Sequence, residues 1–286
     1  MYTTLIDAAQ LGSLLAAAPA DANLLVLDCR HELSQPGWGD QVYAEGHIPG
    51  AVRAHLDRDL SGPVTPGTGR HPLPDAAKFA ETLGRWGVDS NVQVIAYDQS
   101  SGPYAARAWW MLRWVGHERV AVLDGGFAAW LEAGLPVSRE PGVRAPRRFV
   151  ARSAARAPLS AAEVQQALAG RAITLVDARG ADRFAGENET IDPVAGHVPG
   201  AVNRPFTRNV DGRGRFLSSG ELRRQWNEVL GGEQAETAVT MCGSGVTACH
   251  NLLALEVAGL TGARLYPGSW SEWIRDPARP VARGPV

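Results

Sequence analysis

The segment Ala238-Val239-Thr240-Met241-Cys242-Gly243-Ser244-Gly245-Val246-Thr247-Ala248-Cys249 decides how the whole chain is read. Its first four residues form a short apolar run, and a long apolar segment, Asn251–Ala258, follows. A short run, a glycine-bracketed loop and a long run read as strand, tight turn and helix. Cys242 then stands at the carboxyl end of the strand, on the floor of the turn. Gly243 and Gly245 are expected to let the backbone curl through positive φ. A curled backbone points successive N–H groups inward as an anion-binding nest, and the helix adds its positive end. A thiol held there favours the thiolate, the nucleophilic form of cysteine. The plain alternative is a cysteine that only fills space as a small hydrophobe. The two glycines and the helix start favour the reactive reading.

Working outward, the chain repeats itself. Leu24-Leu25-Val26-Leu27-Asp28-Cys29-Arg30 matches Ile173-Thr174-Leu175-Val176-Asp177-Ala178-Arg179. Gly46-His47-Ile48-Pro49-Gly50-Ala51-Val52 matches Gly196-His197-Val198-Pro199-Gly200-Ala201-Val202, and Val92–Asp98 matches the run into Cys242. Leu123-Asp124-Gly125-Gly126-Phe127-Ala128-Ala129-Trp130 matches Tyr266-Pro267-Gly268-Ser269-Trp270-Ser271-Glu272-Trp273. The period is too long for a solenoid and means two copies of one domain. The first copy predicts helices over Asp7–Ala18, Asp75–Trp86, Tyr104–Val115 and Phe127–Ala133, with strands at Leu24–Leu27, Val92–Tyr97 and Val120–Leu123. The second predicts helices over Ala161–Ala169, Ser219–Leu230, Thr247–Ala258 and Ser269–Ile274. Its strands are Ile173–Val176, Ala238–Met241 and Arg264–Tyr266. Short apolar strands alternating with helices give an α/β class: an open, mainly parallel sheet in each copy, with helices on both faces. The Pro- and Arg-rich stretch from Ser138 to Arg152 reads as a surface-packed connector.

The 286 residues carry 28 basic and 30 acidic side chains, a formal net charge of −2. That balance gives no whole-chain case for nucleic acid or membrane binding. The start of the chain shows no basic stretch followed by an apolar core, and no run is long enough to cross a bilayer. Cys29, Cys242 and Cys249 are an odd, sparse set, suited to a reducing compartment and not to a disulfide framework. Cytoplasm is the expected location. No Cys/His spacing forms a zinc site, and no organic cofactor is implied.

In the first copy the cysteine position is Asp98, which cannot do thiolate chemistry, so the second copy is expected to be the active one. A cysteine-dependent phosphatase would need an arginine closing the loop six positions after the cysteine; that residue is Ala248.

These marks resemble the tandem-domain rhodanese-type sulfurtransferases over almost the whole chain: the Cys242–Ala248 loop, the paired Gly-His-Ile/Val-Pro-Gly-Ala motifs, and Val176-Asp177-Ala178-Arg179 followed by Arg183-Phe184. The resemblance implies two rhodanese-like domains: an inactive one at 1–138, a linker at 139–157 and a catalytic one at 158–286. It implies that sulfane sulfur passes from 3-mercaptopyruvate or thiosulfate, through a persulfide on Cys242, to cyanide, a thiol or a thioredoxin-like protein. A rival reading is a persulfide carrier that serves a protein partner without turnover. Gly243, Gly245, Val246 and Thr247 are expected to line the donor, and Arg183 to bind it; Arg183 could instead pair with Asp182 or Glu187. The Cys-Gly-Ser-Gly-Val-Thr form looks like the mercaptopyruvate branch, since no cation follows the cysteine as in thiosulfate-preferring members. That branch usually places a second arginine before its Gly-His-Ile-Pro-Gly motif, and 188–196 contain none, so thiosulfate stays open as donor. A Ser244, His71, Asp59 proton relay is also implied; His71 and Asp59 could instead serve packing alone. Cys249 is expected to be buried packing, or a resolving thiol for oxidised Cys242.

Overall fold

The computed structural model describes residues 1–17, 23–152 and 157–284. Ala18, at the end of the first predicted helix, residues 153–156 of the predicted linker, and the last two residues lie outside the described ones. The chain forms two compact units. One comprises Met1–Gly62, Pro74–Ala155 and Val210–Phe216; the other comprises Pro63–Leu73, Arg156–Asn209 and Leu217–Val286. The units are thus discontinuous in sequence: each takes in a short segment from the other's half of the chain.

The first unit contains β1 (Leu5–Ile6), α1 (Ala8–Ala17), β2 (Leu24–Asp28), α2 (Trp38–Glu45), β3 (Val52–Arg53) and α3 (Leu56–Asp59). It continues with α4 (Ala76–Arg85), β4 (Gln93–Tyr97), α5 (Pro103–Trp114), β5 (Val120–Leu123) and α6 (Gly126–Glu132). Its sheet has the order β1-β5-β4-β2-β3, with every pair parallel. The second unit contains α7 (Ala161–Ala169), β6 (Thr174–Asp177), α8 (Ala181–Ala185), β7 (Val202–Asn203) and α9 (Ser219–Leu230). It ends with β8 (Ala238–Met241), α10 (Ala248–Val257), β9 (Arg264–Leu265) and α11 (Ser269–Trp273). Its parallel sheet runs β7-β6-β8-β9, which is the first sheet without β1.

Central strands are buried along nearly their whole length; β8 is buried at every residue. Such strands are covered on both faces, as parallel sheets are, which is why they read as continuous apolar runs. The helix α10 follows the same logic. Residues 248–255 are all buried, so the helix is covered around its circumference and not along one stripe, with His250 and Asn251 as hydrogen-bonded polar members among the apolar ones. Helix starts follow from local chemistry. Asp75 accepts the N–H groups of Ala77 and Lys78 at 2.9 and 3.1 Å, and Ser160 with Glu163 closes a reciprocal cap on α7.

The repeat extends to individual hydrogen bonds. Arg30 grips Asp28 at 2.7 Å and donates to the Gly46 carbonyl at 2.7 Å; Arg179 grips Asp177 at 2.6 Å and donates to the Gly196 carbonyl at 2.8 Å. Both pairs are buried, and losing one partner of such a pair costs about 3–5 kcal/mol. His47 stacks on Tyr43 and His197 on Phe184, and each binds a backbone carbonyl through Nδ1. These histidines are turn supports in both units. Trp130 and Trp273 donate to the carbonyls of Pro136 and Pro280, at 2.8 and 2.9 Å. The connector residues 139–152 pack along the first unit: Arg147 N–H donates to the Gly84 carbonyl and Arg144 to the Leu24 carbonyl.

Candidate active site

In the second sheet the chain goes from β6 one way to β7, and from β8 the other way to β9. An open α/β sheet forms its crevice where that reversal occurs, outside the carboxyl ends of the strands. Cys242 immediately follows β8, and Asp177 ends β6.

Cys242 is 2% exposed. Its N–H donates to Ser269 Oγ at 3.0 Å, and that hydroxyl donates to the Tyr266 carbonyl at 3.0 Å. The carbonyls of Cys242 and Gly243 accept the N–H groups of Trp270 and Ser271 at 3.0 and 2.9 Å. These bonds hold the loop against the first turn of α11. The loop then folds back, and Gly245 N–H donates to Cys242 Sγ at 3.1 Å.

The two glycines serve different ends. Gly245 has φ +78°, as expected, and a Cβ there would overlap the Pro267 carbonyl oxygen. Gly243 is not in the positive-φ region, so the expectation that both glycines curl the loop is corrected. Its side-chain space is occupied instead: a Cβ would lie 2.8 Å from Arg70 Nη2 and 3.7 Å from each terminal nitrogen of Arg183. Val246 is buried, and Thr247 is the backbone N-cap of α10 without a side-chain cap bond.

Ser244 Oγ lies 2.7 Å from His71 Nδ1, and both residues are buried. His71 belongs to the second unit through the segment Pro63–Leu73. That segment is tied down by Arg70 N–H donating to Ser271 Oγ at 3.0 Å and Arg275 Nε donating to the Thr68 carbonyl at 3.3 Å. Asp59 belongs to the first unit, where its carboxylate accepts the His55 N–H at 2.8 Å.

Arg183 is held by Glu189 through both Nε and Nη2, at 2.9–3.2 Å, and its Nη2 reaches Asp192 Oδ2 at 3.2 Å. Its carboxylate partners are therefore Glu189 and Asp192; the Asp182 carboxylate takes its backbone N–H. Arg70 Nη1 pairs with the other oxygen of Asp192. Burial pushes the Arg70 guanidinium down from its ordinary value, while a Cys242 thiolate pulls it back up. Sequence reasoning missed Arg70. Its only signal was its place beside His71, and nothing local says that 63–73 packs with the second unit.

Cys249 is fully buried on α10, and its Sγ donates to the Gly245 carbonyl at 3.4 Å. In the first unit the matching nest is filled by Asp98. One carboxylate oxygen accepts the N–H groups of Ser100 and Gly102 at 3.2 and 3.0 Å, the other those of Tyr104 and Ala105 at 2.8 and 3.2 Å. Burial pushes the Asp98 carboxyl up, against the downward pull of these four donors. The repeated turn therefore aims backbone N–H groups at the side chain on its floor, Asp98 in one copy and Cys242 in the other.

Among the described residues no group of His, Cys, Asp and Glu could hold a metal ion. No described helix is long and apolar enough to cross a membrane.

The rhodanese-like domain model matches residues 8–133 and again 160–276. A Pseudomonas aeruginosa protein named a probable 3-mercaptopyruvate sulfurtransferase is 50% identical over 272 residues, covering 94% of this chain and 96% of the relative. The thiosulfate sulfurtransferase of Gallus gallus is 34% identical, covering 94% and 93%. Among solved structures, SseA from Escherichia coli, described as a 3-mercaptopyruvate sulfotransferase of rhodanese fold, superposes with a TM-score of 0.78 at 32% identity, over 94% of this chain and 100% of the other. The chain belongs to the rhodanese-like family, with the domain present twice. Within it, the chain is a sulfurtransferase.

Proposed function

We propose that the protein moves sulfane sulfur from 3-mercaptopyruvate, with thiosulfate as a second donor, to a thiol, cyanide or thioredoxin-like acceptor. A persulfide on Cys242 carries the sulfur, and the first repeat, with Asp98 in its nest, is non-catalytic. The observation that carries the reading is the Gly245 N–H aimed at Cys242 Sγ at 3.1 Å, with the Arg70 and Arg183 guanidinium groups over the neighbouring Gly243. Three free cysteines are in keeping with a reducing compartment, the cytoplasm.

The Cys242 thiolate attacks the donor's sulfur and forms an S–S bond. With 3-mercaptopyruvate the C–S bond breaks, and its electron pair leaves as the enolate of pyruvate, which takes up a proton. With thiosulfate the S–S bond breaks, and sulfite leaves with the pair and needs no proton. An acceptor thiolate or cyanide then takes the outer sulfur and returns the Cys242 thiolate. The loop N–H groups hold the terminal sulfur anion. The hydrogen-bonded Ser244 and His71 deliver the enolate's proton.

Steady-state turnover with both donors on one preparation tests the reading. The expected result is repeated turnover with a lower KM for 3-mercaptopyruvate than for thiosulfate, and an intact mass one sulfur atom heavier after donor exposure without acceptor. A single sulfur taken up with no turnover would turn the assignment to a carrier. Ser244→Ala should slow mercaptopyruvate turnover about tenfold, below the usual general-acid range because His71 and water remain, and leave thiosulfate turnover nearly unchanged. Equal slowing of both donors would remove the proton-delivery role. Cys249→Ser should keep most activity, because its sulfur is committed to the carbonyl of Gly245 in the preceding loop. Loss of turnover in that variant would instead mark it as a redox partner of Cys242.

A further inference from the structure

We propose that the first unit carries a second ligand site: a cleft beside the connector that binds the phosphate group of a small molecule through Arg119, Arg148 and Arg152. The site lies within that unit and is independent of the sulfur-transfer scheme.

The cleft has a volume of about 340 Å³, inside the range of about 300–1,000 Å³ usual for small-molecule sites. Its walls are anchored. Arg147 N–H donates to the Gly84 carbonyl at 2.9 Å and Arg152 N–H to the Val115 carbonyl at 3.0 Å, so the connector is pinned on both sides of residues 148–151. The second pin needs glycine at 116, which has φ +85°; a Cβ there would stand 2.9 Å from Arg152 Cβ. His117 lines the same cleft and is 2% exposed. Its ring meets that of Phe149 edge-on, with centroids 5.8 Å apart, and its Nε2 makes no hydrogen bond among the described residues. Burial pushes the imidazole down from its ordinary value, so the charge of the cleft rests on its arginines.

Charge accounting points to a polyanion. Two carboxylates line the cleft, and each is answered by an arginine outside the lining: Asp89 by Arg147 at 3.0 Å, Glu118 by Arg113 at 3.5 Å. Arg119, Arg148 and Arg152 are exposed, and their guanidinium groups make no ion pair among the described residues. Three lining cations are therefore left over. A single carboxylate answers one of them. A phosphate monoester carries close to two negative charges near neutral pH and presents three acceptor oxygens, which suit more than one guanidinium fork. Phe149, Val150 and Met1 add an apolar wall. The ligand that uses both features is an organic phosphate with an apolar or aromatic body.

Calorimetric titration of the full chain at low ionic strength tests the site, with inorganic phosphate, pyrophosphate and AMP as separate probes. AMP is expected to bind more tightly than inorganic phosphate, because its base meets the apolar wall. A charged hydrogen bond is worth about tenfold or more in binding. Arg148→Gln and Arg152→Gln are each expected to weaken AMP about tenfold. Phe149→Leu should bring AMP down to the level of phosphate and leave phosphate unchanged. Equal affinity of wild type for AMP and phosphate, with the arginine dependence kept, upholds the phosphate site and makes the free ion its source. Arg119→Gln stands on a segment apart from the connector; it should show the same loss, and it decides if a connector variant does not fold. Binding that stays at wild-type strength in the arginine variants lies elsewhere and overturns the proposal. Absence of binding by all three probes at millimolar concentration also overturns it. If hexaglutamate binds where those probes do not, the face docks an acidic protein segment and the proposal fails in that direction. The readout is binding, so a failed turnover assay bears on the sulfur-transfer reading alone.

Discussion

Cys242→Ser is expected to abolish sulfur transfer from either donor, a loss on the order of 10⁴-fold or more, as when a sole nucleophile is removed and only binding remains. A serine hydroxyl is scarcely ionised near neutral pH and cannot carry a sulfur atom as a persulfide does. The substitution leaves the local structure nearly intact. The backbone bonds that hold the loop to α11 use the Cys242 N–H and carbonyl, not its side chain. Gly245 N–H, which donates to sulfur in the native protein, can donate to the new oxygen. Melting temperature should therefore stay near wild type while turnover vanishes, and intact mass after donor exposure should show no added sulfur. Activity comparable to wild type in that variant would remove Cys242 from the chemistry and with it the ping-pong scheme.

The strand-loop-helix reading around Cys242 was legible because three levels agree there. A fully buried strand reads as an apolar run, the loop needs glycine at 245, and a helix buried all round reads as a long apolar segment. Helix ends were legible where a cap fixes them, as at Asp75 and Ser160. The two-residue strands β1, β3 and β7 were not, since two residues carry no periodicity. The helix α2 was also missed; Trp38-Gly39 at its start and low apolar content along it conceal the pattern. Within the site, Cys242 and Arg183 stand in local motifs. His71 and Ser244 were named from the resemblance, and their 2.7 Å contact could not be read from spacing. Arg70 was invisible for a sharper reason. Its role depends on residues 63–73 packing with the second unit, more than a hundred residues away in sequence from Asp192 and Gly243, and no propensity encodes that. Gly243 illustrates the converse. The residue was singled out correctly as special, but for its backbone freedom, whereas what it provides is room for a guanidinium.

Gly245→Ala should be the most damaging single-methyl change in the loop. Gly245 has φ +78°, where an alanine costs about 1–2 kcal/mol from backbone conformation alone. The added Cβ would also overlap the Pro267 carbonyl oxygen and press within 2.9 Å of both Pro267 C and Cα. These are backbone atoms next to the turn that carries Ser269, itself at φ 54°, so they cannot swing aside as a side-chain tip could. Relief has to come from the loop moving away from α11, and that movement takes the Gly245 N–H off Cys242 Sγ. Stability and chemistry therefore fall together: a loss of several kcal/mol is within the range for overpacking added to strain, and the surviving folded protein should turn over about 10²-fold more slowly, the effect of removing one anion-holding donor. Chemical denaturation beside single-turnover persulfide formation measures the two separately. Gly243→Ala is the matched control. It meets only the flexible end of Arg70, so it should melt close to wild type and show its effect in the KM for the keto-acid. If Gly245→Ala were to keep both its stability and its rate, the loop would not be the rigid cradle on which the thiolate reading depends.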